Sequence, residues 1–598
     1  MLTQTPPIAA RVPFQRTFHG DTFVDEYEWL RNKDDSAVIA HLEAENAYAE
    51  AATDHLSALR RQIFDEIKSH TQETDLSVPT RRGAWWYYSR SFEGKQYSVH
   101  CRAPIDGPDD WTPPSVDDVP PDRPALPNET VLLDGNVEAD GHDFFSLGSF
   151  ALSGDGTLLA YATDVVGDER FTLRIRDLTT GTDLPDEVKN TSHGAVFSPE
   201  GRYVFYTTVD EAWRPDTVWR HEVGTPASTD VAVFTEPDER YWVGVGLTRS
   251  KRYIVLQVGS KITSEAWILD AADPTGEFRV VWPRREGVEY DIEHARVAGE
   301  DRLLVLHNDD AVNFALVDVS ADDPGGPRTT VMAHDPAIRL ESVDAFSDHL
   351  VVEYRRAGLT QIAVMPLTAA GYGELSELEF DETLYTVGTA GNPEWTAPTV
   401  RFGYGSLATP SAVYDHNIVT GNRRMLKRQA VLGDFDQSRY AQQREWATAD
   451  DGTRVPISLV YRHDMVTPGT PAPLELYGYG SYEASIDPAF SIARLSLLDR
   501  GVVFAIAHVR GGGELGRRWY DDGKMLAKKN TFTDFVAAAK HLIATGWTSR
   551  DRLVAEGGSA GGLLMGAVAN LAPDTFAGIL ASVPFVDPLT SILDPSLP

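Results

Sequence analysis

Leu553-Val554-Ala555-Glu556-Gly557-Gly558-Ser559-Ala560-Gly561-Gly562-Leu563-Leu564-Met565 is the stretch on which the reading of this chain turns. An apolar run, a Gly-x-Ser-x-Gly core and a helix-capable run follow one another. Patterns of five small residues recur in unrelated loops, so the core alone says little. Its setting says more, because strand, tight turn and helix in that order are what a nucleophile elbow requires. Side chains at Gly557 and Gly561 would clash in so tight a turn, and Ser559 is pushed outward. The helix start beyond it offers unpaired backbone N–H groups and a positive dipole end to a developing oxyanion. The competing reading is a glycine-rich strand–helix connection with a passive serine.

On either side of this stretch, Val455–Tyr461, Leu474–Leu476, Val502–Ala507, Leu553–Ala555 and Gly578–Val583 read as strands. Before the fourth lies an amphipathic helix, with Phe532, Phe535, Val536, Ala539, Leu542 and Ile543 on one face. This alternation predicts a mainly parallel sheet from about residue 438 onward.

From about residue 76 to residue 437 the texture differs. Short strands rich in Val, Tyr, Phe and Trp follow polar turns at 154–156, 199–202, 250–252, 300–302 and 347–349. The spacing of about 45–51 residues is that of four-stranded propeller blades, and seven fit the segment. A pair of β-sandwiches gives regular strands without this longer repeat. Residues 1–75 form an N-terminal helical segment expected to pack with the last domain. Within it, 36–70 carries apolar residues at helical spacing, preceded by capping residues Asp34-Asp35-Ser36.

At 598 residues the chain is too long for one core, which agrees with several domains. The 89 acidic and 54 basic residues give a net charge of −35. Such a surface repels nucleic acid and anionic membranes and favours cationic partners, although solubility alone would account for it. Cys101 is the only cysteine, so no intrachain disulfide forms and a reducing, cytoplasmic location is expected. No secretory signal is read in the opening Met1–Pro7, and no apolar run is long enough to span a bilayer.

Two further clusters matter. Gly511-Gly512-Gly513-Glu514-Leu515-Gly516 contains Gly-x-Gly-x-x-Gly after a strand. A dinucleotide site also needs a helix directly after it and an acid ending the next strand. The next residues, 517–523, are polar and aromatic, and Asp534 falls inside a predicted helix, so no dinucleotide is expected. Tyr477-Gly478-Tyr479-Gly480-Ser481-Tyr482 follows a strand. Packing at a turn is the default for its tyrosines, but a phenol near the elbow would also serve as an oxyanion donor.

Taken in order, Leu476–Gly480, Val509–Glu514 and Gly557–Gly562 resemble the prolyl oligopeptidase family, as do Asp25–Leu30 and Leu42–Tyr48. Ala560 after the serine, Val583–Asp587 and Ile592–Pro598 are most similar to its oligopeptidase B branch. The resemblance covers essentially the whole chain. It implies a seven-bladed β-propeller capping an α/β-hydrolase domain, and a serine peptidase for short peptides with Lys or Arg before the scissile bond, without metal or cofactor. It makes Ser559 the nucleophile, with the Tyr479 hydroxyl and the Ala560 N–H as oxyanion donors. Asp487 is the remaining carboxylate of an Asp-x-Asp pair that would hold a basic P2 side chain. Capping of a turn before Pro488 is the alternative.

The chain departs from the family pattern after the serine. In this fold the order is Ser, Asp, His, yet only 39 residues follow Ser559 and all 16 histidines precede it. Asp574, Asp587 and Asp594 fall where the family has its next helix, strand and loop. His508 and His541 stand in the wrong chain order for a base. The sequence therefore predicts a catalytic domain incomplete at its C-terminus, with the acid, the base and the P1 pocket acids beyond residue 598, and a chain inactive as given. The alternatives are a non-catalytic propeller that binds peptides, or post-proline specificity.

Overall fold

The computed structural model describes residues 5–116, 119, 124–594 and 597. Met1–Gln4, at the start of the stretch read for a secretory signal, and Pro595, Ser596 and Pro598 of the last family-like stretch lie outside them. The chain forms two compact units, one of residues 1–71 with 587–597 and the other of residues 72–586.

The first unit holds a hairpin, Phe14–Phe18 with Asp21–Asp25, and the helices Ser36–Thr53 and Ser57–His70. Asp35 caps the first helix by accepting from the Ala37 N–H at 2.8 Å. The single helix expected over 36–70 is broken by a 3-10 turn at Asp54–Leu56. There the Thr53 and Ser57 hydroxyls bond the carbonyls of Ala49 and Asp54, the local competition by which such side chains interrupt helices. A short helix, Pro588–Ile592, belongs to the same unit, and Arg31 pairs with Asp594.

In the second unit, the strands from Asp75–Leu76 to Arg423–Arg428 pair antiparallel in six sheets among the described residues. Three have four strands, two have five, and one has seven. The turns quoted from the sequence join the first and second strands of a unit, for example Ser146–Leu152 to Leu158–Asp164 and Trp242–Leu247 to Tyr253–Gly259. One turn is displaced: Ala298-Gly299 makes it, and Glu300 already begins the next strand. The seven-stranded sheet, Ser146–Leu152 through Val231–Thr235, is held together by the 16-residue strand Thr182–Phe197. Its first part pairs with Phe171–Asp177 and its second with Tyr203–Val209. Two four-stranded meanders thus share one strand, and six sheets stand where seven separate ones were expected. Cys101 is buried among Leu76, Tyr88 and Val99, and burial pushes its thiol up to about 12.

The six-stranded sheet after residue 439 has the order Tyr440–Thr448, Arg454–Arg462, Val503–Ala507, Leu474–Tyr477, Leu553–Gly558, Gly578–Ser582. Each of the first two is antiparallel to the strand that follows it in this order, and the last four run parallel to one another. The parallel strands stand close to their sequence-predicted positions. Leu474, Leu476, Leu553 and Ala555 pack on Phe535, Ala539 and Leu542 of helix Lys529–Ala544 and on Leu564 and Val568 of helix Ala560–Leu571. Each fully buried Leu or Phe here contributes about 1.5–3 kcal/mol. That packing fixes the carboxyl ends of the parallel strands, where the elbow sits.

Candidate active site

Strand Leu553–Gly558 ends one residue before Ser559, and helix Ala560–Leu571 starts one residue after it. Ser559 is held at φ 55°, in the left-handed region that a non-glycine residue seldom enters. Its backbone is pinned on both sides. Its N–H donates to the Ser582 carbonyl at 3.0 Å, and its own carbonyl accepts from Gly562 at 2.9 Å and Phe585 at 3.0 Å. A Cβ on Gly557 would lie 2.5 Å from the Gly561 carbonyl oxygen, and one on Gly561 would lie 2.7 Å from the Gly478 carbonyl oxygen. No side chain fits at either position. Because Ala560 opens the helix, its N–H has no partner one turn earlier within it.

The same close approach brings in the tyrosine loop. A Cβ at Gly561 would be 3.4 Å from both Cα and Cδ2 of Tyr479, so the ring lies against the elbow. The Tyr479 hydroxyl makes no hydrogen bond among the described residues. Ser559, Ala560 and Tyr479, separated by some eighty residues in sequence, are thus brought together.

Sequence reasoning missed what holds the Tyr479 loop. Gly480, at φ 71°, leaves no room for a side chain beside Thr531 and Val509. The half-buried Lys528 ammonium donates to the Gly480 carbonyl and, at 2.6 Å, to the Ser481 hydroxyl. Burial pulls that ammonium down to about 8. Arg510 forks onto the buried Asp534 at 2.8 and 2.6 Å, fixing helix Lys529–Ala544 beneath the loop. A charge in the middle of an amphipathic helix was the available signal. A one-turn helix, Arg517–Asp521, does follow the glycines at 511–516, but Asp534 serves Arg510 and is not at a strand end.

Farther along the loop, Glu483 pairs with Arg339 at 3.1 Å and Arg517 at 3.0 Å. Asp487 accepts from both ends of the Arg355 guanidinium, at 2.7 and 2.9 Å, and Arg355 also reaches Glu341 at 2.6 Å. The carboxylate read as free for a substrate cation is therefore already engaged by a propeller arginine. The two histidines nearest in sequence are engaged elsewhere. His508, fully buried, meets the Ser458 hydroxyl at 2.7 Å, and His541 meets Glu445 at 3.2 Å. Ser559 has no side-chain hydrogen-bond partner among the described residues.

Under the elbow strand, Glu475 adjoins Glu556, with Arg494 nearby and stacked 3.8 Å over Phe504. Burial, and then the neighbouring Glu556 carboxyl, raises Glu475 above the ordinary carboxylate range. Its folded form therefore keeps a proton that the unfolded chain releases near pH 4.3. In that window the folded state binds more protons, so this group lowers stability as pH rises from the ordinary range toward its raised pKa. Glu475→Gln should flatten that decline. Denaturant midpoints at pH 5 and pH 8 check this, and an identical decline in both proteins would refute it.

The fold and this strained serine define an α/β-hydrolase joined to a propeller. Residues 6–429 match the model of the prolyl oligopeptidase N-terminal β-propeller domain, and residues 488–598 match that of the prolyl oligopeptidase family. The chain belongs to the prolyl oligopeptidase family. It is 41% identical over 604 residues to dipeptidyl aminopeptidase BI of Pseudoxanthomonas mexicana, covering 99% of this chain and 81% of that one. It is 39% identical over 596 residues to protease 2 of Moraxella lacunata, covering 99% and 83%. Among solved structures, oligopeptidase B from Leishmania major superposes with a TM-score of 0.90 at 36% identity, covering 99% and 84%. By this kinship the chain belongs among the oligopeptidase B-like members of that serine peptidase family.

Proposed function

We propose that this chain provides the body of an oligopeptidase that cleaves short peptides after Lys or Arg through an acyl-enzyme on Ser559. The observation that carries this is Ser559 at φ 55° with Tyr479 packed on the elbow, a strain that persists only where the surroundings impose it. In this reading Ser559 attacks the scissile carbonyl, and the Ala560 N–H and the Tyr479 hydroxyl receive the oxyanion. No histidine of residues 1–598 is assigned as base, and no metal or cofactor is required. The net charge of −35 agrees in sign with basic peptides. A basic P2 side chain would compete with Arg355 for Asp487, so preference for it should be weak. We take the six sheets as seven blades, two of them fused, within residues 76–437, after an N-terminal segment 1–75 and before a hydrolase part 438–598. We take the protein as cytoplasmic. Among the described residues no helix is long and apolar enough to cross a membrane.

The test is kcat/KM for matched peptides ending in Gly-Arg, Arg-Arg and Gly-Pro before the scissile bond, on an active enzyme containing residues 1–598. Gly-Arg should exceed Gly-Pro by at least about tenfold, because a desolvated guanidinium needs carboxylate partners that a proline does not. Faster cleavage after Gly-Pro would overturn the assignment. A second reading, peptide binding without turnover, is favoured by the absence of an imidazole at Ser559 among the described residues. Retained binding with no cleavage of any peptide would select it.

A further inference from the structure

Strands Ile338–Ala345 and His349–Arg356 of the propeller pair antiparallel and set Arg339 directly opposite Arg355. Like charges in that register repel, so the pair needs carboxylates to receive both. One is the propeller's own Glu341, on Arg355. Two more come from the hydrolase part. Glu483 accepts from Arg339 at 3.1 Å, and Asp487 accepts from both ends of Arg355 at 2.7 and 2.9 Å. Arg339 is also stacked 3.9 Å over Phe314. A further crossing runs through Arg517, which bridges Glu483 at 3.0 Å and Glu289 of the propeller at 2.8 Å.

The segment so clasped continues the Tyr479 loop. Tyr482 and Glu483, in succession, sit at φ 61° and 58°. Two non-glycine residues stay in the left-handed region only where their surroundings impose it. The glycine loop holds the backbone: the Glu483 N–H donates to the Gly511 carbonyl at 3.1 Å, and a Cβ on Gly513 would lie 2.6 Å from the Glu483 carbonyl oxygen. The propeller arginines hold the side chains. Lys528 fixes the upstream end at Gly480, so the loop is tied at both ends. Asp487 also has a second cation within its field. All three guanidinium nitrogens of Arg444 are buried with no hydrogen-bond partner among the described residues, and the Glu514 and Asp487 carboxylates act on them. An unsatisfied buried guanidinium is costly, so Asp487 would turn to it once Arg355 let go.

We propose that Arg339 and Arg355 are positioning residues for the oxyanion donor: by clamping Glu483 and Asp487 they keep the Tyr479 hydroxyl at the elbow. The propeller thereby takes part in acyl transfer through a loop of the hydrolase part. This rests on the reading of Tyr479 as an oxyanion donor and names what keeps it in place.

Hydrogen exchange of the 598-residue chain tests the clamp itself. Arg339→Met with Arg355→Met should speed exchange of the Glu483 and Ile486 amides at least about tenfold and leave those of Leu476 and Ala555 unchanged. Glu483→Gln with Asp487→Asn, which keeps side-chain volume, should do the same. Exchange equal to that of the parent in either folded pair would overturn the clamp. In an active enzyme containing residues 1–598, kinetics use whichever of the Gly-Arg and Gly-Pro peptides is cleaved faster. Either pair should lower kcat about tenfold with little change in KM, because a misplaced transition-state donor spares ground-state binding. In a Tyr479→Phe background the same pair should cost less than about twofold, since the group it acts through is already gone. An equal loss in both backgrounds would overturn action through Tyr479. If Tyr479→Phe alone leaves kcat unchanged, the oxyanion reading fails, and the exchange result still decides the clamp.

Discussion

A fluorophosphonate probe should label Ser559 of the 598-residue chain slower by several orders of magnitude than a serine peptidase with an intact triad. The elbow geometry is in place, but the hydroxyl has no imidazole within hydrogen-bond reach among the described residues. An unassisted serine hydroxyl is a weak nucleophile. Triad members act as a unit, so losing the base costs nearly as much as losing all three. The residual rate would come from the oxyanion donors alone. Gel fluorescence after timed labelling, with Ser559→Ala as the blank, reads the result. Rapid, stoichiometric, Ser559-dependent labelling would mean that the chain supplies its own base, and His508 would be the first to test.

In an active enzyme containing residues 1–598, Tyr479→Phe should lower kcat by about 10²–10³ with a much smaller change in KM. The substitution removes one hydroxyl and little volume, so the ring keeps its contact with Gly561. An oxyanion donor acts mainly when charge develops, and its loss costs about 2.7–4 kcal/mol of transition-state stabilisation. A group that only packs would affect stability and leave kcat alone. Single-turnover kinetics, in which chemistry limits the rate, separates the two. An unchanged acylation rate would return Tyr479 to a packing role.

The elbow was legible because its constraint is local: two glycines, a serine and the flanking strand and helix all lie within a dozen residues. The propeller repeat was legible because each first turn needs small or polar residues at similar spacing. The fused sheet was not, since Thr182–Phe197 contains Pro185, Asn190 and Gly194, residue types that ordinarily interrupt strands. The strand passes them with register shifts in its pairing. The break in the N-terminal helix depended on two hydroxyls choosing nearby carbonyls, which helical spacing does not register. At the site, Asp487 looked free because its partner Arg355 lies 132 residues away. Lys528 looked like any helix-start lysine until the fold placed it under Gly480.

The shared strand Thr182–Phe197 has a mechanical consequence. Elsewhere among the described residues, neighbouring propeller units are separate sheets, so they can slide or part without rupturing a strand ladder. Across this one junction the backbone ladder runs on without a seam. The two meanders therefore make a stiff double plank in a ring of single ones. Breathing of the ring should concentrate at the seams on either side, and amides of Phe171–Asp177 and Tyr203–Val209 should exchange with solvent as one cooperative block.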